Sequence, residues 1–296
     1  MVYSSTFAAY FRRGSEAQLM LWDWTTGKLL KTLDDPALFS LAFISASRVL
    51  LARIIKTTSA QSHTLHAAAL HVLDLDTGTE TKYDLPELPC ATVLQVSLEA
   101  DHTSPASNKG GCGMFAPARG PYDRIILWRM VHQDPVLQKM TLVISCRAFG
   151  VQEVEGTGSV PWAAWGPAHT RFTTNVPENI GNIVDGRWAQ VQLRQMNGEV
   201  WGEVVLRDFS RARVANASVE GRVVRDGAMW PYGAAVNDDA SLVTTLPFVV
   251  RRERPSEVPR KLWLYGQRVC EDGYLYVGPA DGADGLDHRL LYICTF

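Results

Sequence analysis

The sequence predicts an all-β fold, and three observations lead to that prediction. A strand-and-turn pattern near the N-terminus recurs 51 residues later. About twenty segments with alternating or β-branched apolar residues are separated by Gly, Pro, Asn and Asp. The 3.6-residue apolar period of an amphipathic helix is poorly represented throughout, so helices are expected to contribute little.

The recurring pattern consists of two similar stretches, "LMLWDWTTGK" (19–28) and "LHVLDLDTGT" (70–79). In each stretch, alternating apolar residues predict a strand with one buried face. The Asp at the strand end can accept a hydrogen bond from the backbone two residues on, and the Gly permits the positive φ that turns the chain back. The matching residues are Leu19 with Leu70, Leu21 with Val72, Trp22 with Leu73, Asp23 with Asp74, Thr26 with Thr77 and Gly27 with Gly78.

A repeat of about 50 residues is typical of β-propeller blades. We therefore expect an irregular WD-like β-propeller of roughly five to seven blades or part-blades. The repeat is compatible both with a complete ring of blades and with an incomplete one. The two repeated stretches are expected to form hairpin turns that leave equivalent strands of neighbouring blades. Gly27 and Gly78 should then have positive φ.

Further strands are predicted from apolar, β-branched and aromatic runs along the rest of the chain. The stretch "RWAQVQLRQM" (187–196) alternates and is interpreted as a strand rather than a helix. The stretch "EVVLRDFSRARV" (203–214) keeps an apolar run, an Asp and a polar turn. The other predicted strands are "DRIILWRMV" (123–131), "MTLVISCRAF" (140–149), "KLWLYGQRV" (261–269), "GYLYVGP" (273–279) and "RLLYICTF" (289–296).

One segment, residues 99–121, interrupts the strand pattern with many Gly, Ser, Pro and Ala residues. Such a composition cannot form a core of its own. It predicts either an interdomain linker or a flexible loop on one face of a propeller. The loop is favoured because strands of the same kind resume beyond it, so we expect a single domain over residues 1–296.

Charge and composition exclude several classes of partner. The 29 basic and 31 acidic residues give a net charge of −2, which offers little attraction to nucleic acid or to an anionic membrane. The sequence contains neither a secretory signal nor an apolar run of about 18 residues. Five cysteines without a C-x-x-C pair are interpreted as reduced thiols. We expect a cytoplasmic or nuclear protein that binds neither nucleic acid nor membranes.

The usual motifs of catalysis and cofactor binding are missing. The sequence has no phosphate-binding glycine loop, no nucleophile elbow and no H-E-x-x-H motif. His63, His66 and His71 are close in sequence, but His63 and His66 would point to opposite faces of a strand, which suits a shared metal poorly. We therefore expect no catalytic residue, no cofactor and no metal.

Two tryptophans and an arginine are the candidate partner-binding residues. In "VPWAAWGPAHTR", Trp162 and Trp165 precede a Gly-Pro pair that predicts a turn, and Arg171 follows. Most of the nine tryptophans are expected in the core, because large aromatic side chains dominate packing. At least one of Trp162 and Trp165 should be mostly buried beneath the turn. The alternative is an exposed aromatic patch that anchors a partner, and Arg171 either bonds turn carbonyls or faces a ligand.

Several stretches resemble the C-terminal region of F-box proteins from mushroom-type fungi. They are "DWTTG" (23–27), "VPWAAWGPAHTR" (160–171), "LPF" (246–248) after "NDDAS", and "CEDG" (270–273) before "YLYVG". The resemblance extends over nearly all of residues 10–296. It implies an irregular β-propeller-like region that recruits substrates to a ubiquitin ligase, without identifying a ligand.

The chain departs from that family in one respect, since nothing before Leu19 resembles the helical F-box. Either a paralogue that lost the F-box or a truncated gene model is expected. Without an F-box, the ligase adaptor is not expected to bind this chain.

Two functions of different classes follow. The first is a non-catalytic protein-interaction module whose partner is an unknown protein. The second is a propeller-type hydrolase or carbohydrate-active enzyme with a carboxylate cluster at the central channel, which stays open because such a site has no local spacing. Three or more converging Asp, Glu or His side chains would favour the enzyme, whereas an apolar or mixed rim would favour the module. The sequence favours the module.

Overall fold

The computed structural model describes residues 2–3, 5–13, 16–58, 64–86, 92–100, 124–134, 136–150, 159–173, 183–184, 186–196, 199–216, 222–229, 243–253, 266–270, 273–279 and 289–295. Strands dominate these residues, with two short α-helices and one 3-10 turn, so the all-β prediction is confirmed. The chain groups into two compact units, Met1–Asn175 with Gly227–Leu246 and Val176–Asp226 with Pro247–Phe296. The single domain over residues 1–296 stays a prediction.

The first unit begins with a four-stranded antiparallel sheet, the first sheet, in the order β1-β2-β3-β4. Side chains alternate between its two faces, so β3 buries Leu19 and Leu21 and leaves Met20 and Trp22 half-buried on the other face. The strands are Val2–Tyr3, Thr6–Arg13, Glu16–Asp23 and Lys28–Asp34.

The second sheet repeats this arrangement with β5 to β8 and adds one strand at its edge. A short strand from much later in the chain, β12 (Ser159–Val160), pairs in parallel with β8. The other strands are antiparallel neighbours in chain order: Leu38–Phe43, Arg48–Thr58, Thr64–Asp74 and Glu80–Tyr83.

The same turn joins the third and fourth strands of both sheets, as the repeat predicts. The Asp23 carboxylate accepts a hydrogen bond from the Thr25 N–H at 2.9 Å, and Asp74 accepts one from the Asp76 N–H at 3.0 Å. Gly27 has a φ of +69° and Gly78 a φ of +73°. The positive φ at both glycines is confirmed, and both turns leave equivalent strands of their sheets.

The third sheet has the order β13-β11-β10-β9. Strand β11 ends at Ser145, and Cys146–Phe149 form a 3-10 turn, so the predicted strand over 140–149 is too long at its end. The predicted loop at 99–121 begins inside β9, and residues 101–121 lie outside the described residues. The strands are β9 (Thr92–Ala100), β10 (Ile125–Asp134), β11 (Val136–Ser145) and β13 (Thr170–Thr173).

The second sheet is buried on both faces, which explains the nearly continuous apolar run in β6. Val49 and Leu51 join a cluster with the first sheet, whereas Leu50 and Ala52 join a larger cluster with the third sheet. This division follows from the two-residue period of a strand. The core of the first unit is therefore layered, with the second sheet as its middle layer.

The second unit contains a five-stranded sheet in the order β14-β15-β16-β20-β17 and a three-stranded sheet β21-β22-β23. Strand β15 covers the whole of the predicted strand at 187–196. The bounds are Ile183–Val184, Arg187–Met196, Glu199–Asp208, Phe248–Glu253 and Arg222–Val224 for the larger sheet, and Gly266–Cys270, Gly273–Pro279 and Arg289–Thr295 for the smaller one.

One predicted turn in the second unit is wrong. Strand β16 ends at Asp208, and the helix α2 (Arg211–Asn216) replaces the expected polar turn. The Asp208 carboxylate accepts a hydrogen bond from the Ser210 N–H at 2.9 Å, and the Ser210 carbonyl accepts one from Val214 at 2.9 Å. The bond between Asp208 and the backbone two residues on is an Asx-turn, which directs the chain into α2. Of the predicted strand over 261–269, residues 261–265 lie outside the described residues.

Candidate functional site

The helix α1 (Trp162–His169) carries both candidate tryptophans and connects β12 to β13. Pro161 precedes it in an extended conformation, with φ −67° and ψ 146°. The predicted Gly166-Pro167 turn is wrong, because both residues lie inside the helix. An isolated helix of eight residues is marginal in water, so packing of its side chains against the sheets must stabilise it.

Trp165 is the centre of an aromatic cluster, which we define as Tyr83, Phe149, Trp162, Trp165 and Phe172. Its ring meets Tyr83 edge to face at a centroid distance of 5.6 Å and Trp162 at 5.1 Å. Its indole Nε1–H donates to the Asp84 carbonyl at 3.0 Å. Phe149 lies 5.9 Å from Trp165, and Phe172 stacks on Trp162 at 6.0 Å. The aromatic cluster thus joins α1 to the second and third sheets.

Both tryptophans are buried, so the expectation that at least one is buried is confirmed. They do not stand side by side in solvent as an exposed aromatic patch requires. Their role in binding a partner stays a prediction.

Gly166 is required by its distance from the Trp162 ring. A Cβ atom at this position would lie 2.2 Å from Cε3 of Trp162, far inside van der Waals contact. The Gly166 carbonyl also accepts a hydrogen bond from the Thr170 hydroxyl at 2.6 Å, where the helix ends. The absence of a side chain at Gly166 therefore allows the Trp162 ring to pack directly on the helix backbone.

Arg171 is buried in β13, where its Nη1–H donates to the Leu246 carbonyl at 3.2 Å. The Leu246 N–H donates to the Thr170 carbonyl at 3.1 Å, and the Thr245 N–H donates to the Pro167 carbonyl at 2.7 Å. Residues 243–246 are thereby bonded to the end of α1, from which they are about 75 residues away in sequence. They include β19 (Val243–Thr244), which pairs with β18 (Ala228–Met229). Of the two interpretations of Arg171, the structure shows the bond to a carbonyl, and a contact with a partner stays a prediction.

Most of the large apolar side chains that are exposed among the described residues lie on the first sheet or its turn. Trp24 and Phe11 are 59% and 57% exposed, although most tryptophans were expected in the core. Trp24 is the first residue of the turn after β3 rather than a strand residue, and this position is the sequence signal for its exposure. We define the first-sheet patch as Phe7, Phe11, Trp24, Leu29 and Leu30.

A polar network links the end of the first sheet to the second sheet. Arg53 on β6 donates to the Glu80 carboxylate at 2.5 and 2.9 Å and pairs with Asp35, just beyond β4. The Nδ1 atom of His71 lies 2.7 Å from Oε1 of Glu80. The hydrogen bond from His71, with those from Arg53, outweighs burial and lowers the pKa of Glu80 to about 2. These charges hold the two sheets together.

Within the part of the chain that the structure describes, no group of three or more His, Cys, Asp or Glu side chains is placed to hold a metal. His63 lies outside that part. Burial raises the pKa of the Cys146 thiol to about 11, so little thiolate forms at neutral pH. None of the described helices combines the length and apolar character needed to cross a membrane.

Comparisons with models of protein families, with curated proteins and with solved structures find no match for this chain. Its function therefore has to be inferred from its own residues and their geometry.

Proposed function

We propose that this chain is a non-catalytic protein-interaction module on an irregular WD-like β-propeller, similar to the substrate-recruiting region of fungal F-box proteins. The propeller is supported by three successive sheets in the first unit, since each contains four antiparallel strands, as a blade does. The first two sheets also share the turn after the third strand. The propeller thus explains why the sequence pattern returns after 51 residues.

The first-sheet patch is the observation that carries the interaction function. Phe7 and Phe11 are four residues apart on β2, and alternate residues of a strand share a face, so both lie on the same face of the sheet. The ring centroids of Phe7 and Trp22 are 5.7 Å apart. Contiguous exposed apolar patches mark interaction sites, and aromatic side chains such as Trp24 are frequent anchors of protein interfaces. The buried aromatic cluster has a different role in this proposal, because it joins α1 to the second and third sheets and offers no exposed ring.

Capture of partners from a fungal lysate tests the proposal. The wild-type chain should recover a specific set of proteins, and the double variant Phe11→Ser with Trp24→Ser should lose that set. Leu94→Ser is the matched control, because Leu94 is exposed on the third sheet, outside the patch. Failure of the wild-type chain to recover any specific protein contradicts the interaction function. Equal recovery by the double variant contradicts the assignment to the patch.

A further inference from the structure

Strands β4 and β8 are equivalent edges of two equivalent sheets. The pair Trp22 and Leu29 in the first sheet matches the pair Leu73 and Glu80 in the second sheet. Towards the end of each strand, Leu19 pairs with Leu33 as Leu70 pairs with Tyr83. Leu33 therefore corresponds to Tyr83, and Asp34 corresponds to Asp84.

The edge of β8 holds an extended segment of the same chain. Strand β12 runs parallel to β8, with Val160 opposite Tyr83. The Asp84 N–H donates to the Val160 carbonyl at 2.9 Å, and Val160 is buried. Two tryptophans follow in α1, one of which donates to the Asp84 carbonyl. The fourth strand of this repeat thus accepts an added strand followed by aromatic anchors.

The edge of β4 carries no added strand among the described residues. The Asp35 N–H donates to Ala17 on β3 at 2.9 Å, and N–H groups alternate in direction along a strand. Thr32 and Asp34 therefore direct their N–H groups away from β3, in the way that Asp84 directs its N–H towards β12. Leu29 and Leu30, both exposed, lie on the same strand.

We propose that the β4 edge, residues Lys28–Asp34, binds an extended acidic and apolar peptide segment of a partner protein, in parallel and in the register that β12 adopts on β8. This inference rests on the proposed interaction function and names its ligand class. Main-chain hydrogen bonds supply affinity in such strand addition, and alternate side chains supply specificity. Leu29, Leu30 and Leu33 favour apolar residues in the ligand. Lys28 and Lys31, which make no ion pair within the described residues, favour acidic ones.

The chain itself provides the probe, a fluorescently labelled peptide EVEGTGSVPWAAW with the sequence of residues 153–165. When its Val160 lies opposite Leu33, its Glu155 lies close to Lys28, within one residue because of the β-bulge between Leu29 and Lys31. The intramolecular β12 keeps the β8 edge occupied, because its effective concentration is high. Added peptide should therefore report on the β4 edge.

Fluorescence anisotropy with the full chain should show saturable binding of the peptide. Thr32→Pro should weaken binding at least tenfold, because proline removes an outward N–H that a strand edge can lose without unfolding. Thr32→Ala is the matched control and should bind like the wild-type chain. Absence of binding to the wild-type chain, or equal binding by Thr32→Pro, would overturn the proposal.

Exchanging the charges of Lys28 and of the peptide's Glu155 tests binding at the β4 edge even if Thr32→Pro does not fold. Lys28→Glu should weaken binding by about threefold, the usual size of an exposed cross-strand charge pair. A peptide with Lys in place of Glu155 should restore binding to this variant and bind the wild-type chain less well. Equal affinities in all four combinations would contradict the proposed register.

Two further outcomes separate this inference from others. Dimers of the wild-type chain in sedimentation that Thr32→Pro abolishes would assign the β4 edge to a second copy, and would overturn the peptide assignment. If the chain binds the peptide but captures no partner from the lysate, the β4 edge is a peptide-binding site and the interaction function is refuted. If Thr32→Pro still captures the lysate partners and the wild-type chain does not bind the peptide, the interaction function is supported and the proposal for the β4 edge is refuted.

Discussion

Gly166 lies against the face of Trp162, and a methyl group there would overlap the indole ring. We expect Gly166→Ala to lower the free energy of unfolding by about 1–3 kcal/mol, the usual cost of overpacking. Ala163→Ser, at an exposed position of the same helix, should change it little. Chemical denaturation of both variants checks the difference. An unchanged Gly166→Ala variant would show that α1 does not pack as described.

Trp165 combines a large buried ring with a hydrogen bond to the Asp84 carbonyl. Trp165→Ala should therefore lower the free energy of unfolding by roughly 3–5 kcal/mol, as for other buried aromatic residues. Trp24→Ala is the matched control, since the same truncation at an exposed tryptophan removes few contacts. Equal losses of stability at the two positions, measured by thermal and chemical denaturation, would contradict the burial of Trp165.

Gly27 isolates the cost of backbone conformation, because nothing lies within 4 Å of a Cβ atom added there. Gly27→Val should destabilise the fold by about 1–3 kcal/mol, since a β-branched residue tolerates a φ of +69° poorly. Gly27→Asn should cost less, because Asn accepts the left-handed conformation more readily. A Gly27→Asn variant that is less stable than Gly27→Val in chemical denaturation would contradict the positive φ at this turn.

At the scale of single residues, the sequence predicted the positive φ of Gly27 because the signal is local. An Asp, a Thr and a Gly within five residues are enough to specify that turn. The role of Gly166 could not be predicted in this way. Its requirement arises from a tryptophan ring folded back over the helix, and the position of that ring depends on the neighbouring sheets.

At the scale of elements, α1 shows how packing overrides local preference. Its eight residues contain a Gly and a Pro, and residues of this kind predict a turn. The helix forms because Trp162 and Trp165 bury their rings against two sheets, while residues 243–246 bond its last turn. The contribution of those residues could not be predicted from a sequence separation of about 75.

The polar network of Glu80 couples two elements to pH. Because the folded-state pKa of Glu80 lies near 2 instead of 4.5, its carboxylate stabilises the fold fully above about pH 4.5. This stability is lost as the pH falls from 4.5 towards 2, where the folded carboxylate finally takes up a proton. Urea denaturation at several pH values should show a smaller loss over this range in Glu80→Gln than in the wild-type chain.

Glu16→Gln provides the control for that measurement, because Glu16 is exposed at the start of β3. This variant should lose stability over the same pH range as the wild-type chain does. If Glu16→Gln and Glu80→Gln lose equally little stability over this pH range, the pH dependence does not depend specifically on Glu80.

At the scale of the whole molecule, we predict that residues 1–296 alone do not bind the ubiquitin-ligase adaptor. Binding through an F-box needs a contiguous apolar helical surface. The described residues contain only two α-helices, of eight and six residues. Titration of the purified adaptor with this chain should show no saturable binding, and fusion to an F-box segment should restore it. Saturable binding of the unfused chain would refute this prediction.

The sequence by itself determined the all-β character, the alternation of faces along a strand and the two repeated turns, because each of these depends on residues a few positions apart. Alternation with a period of two assigns Leu19 and Leu21 to one face of β3, whatever lies against that face. Only the tertiary structure decided that β12 covers the edge of β8, whereas no strand among the described residues covers the edge of β4. It also decided that Trp165 is buried while Trp24 is exposed. Both outcomes depend on contacts between residues far apart in the chain, and the free energy of such contacts leaves no periodic trace in the sequence.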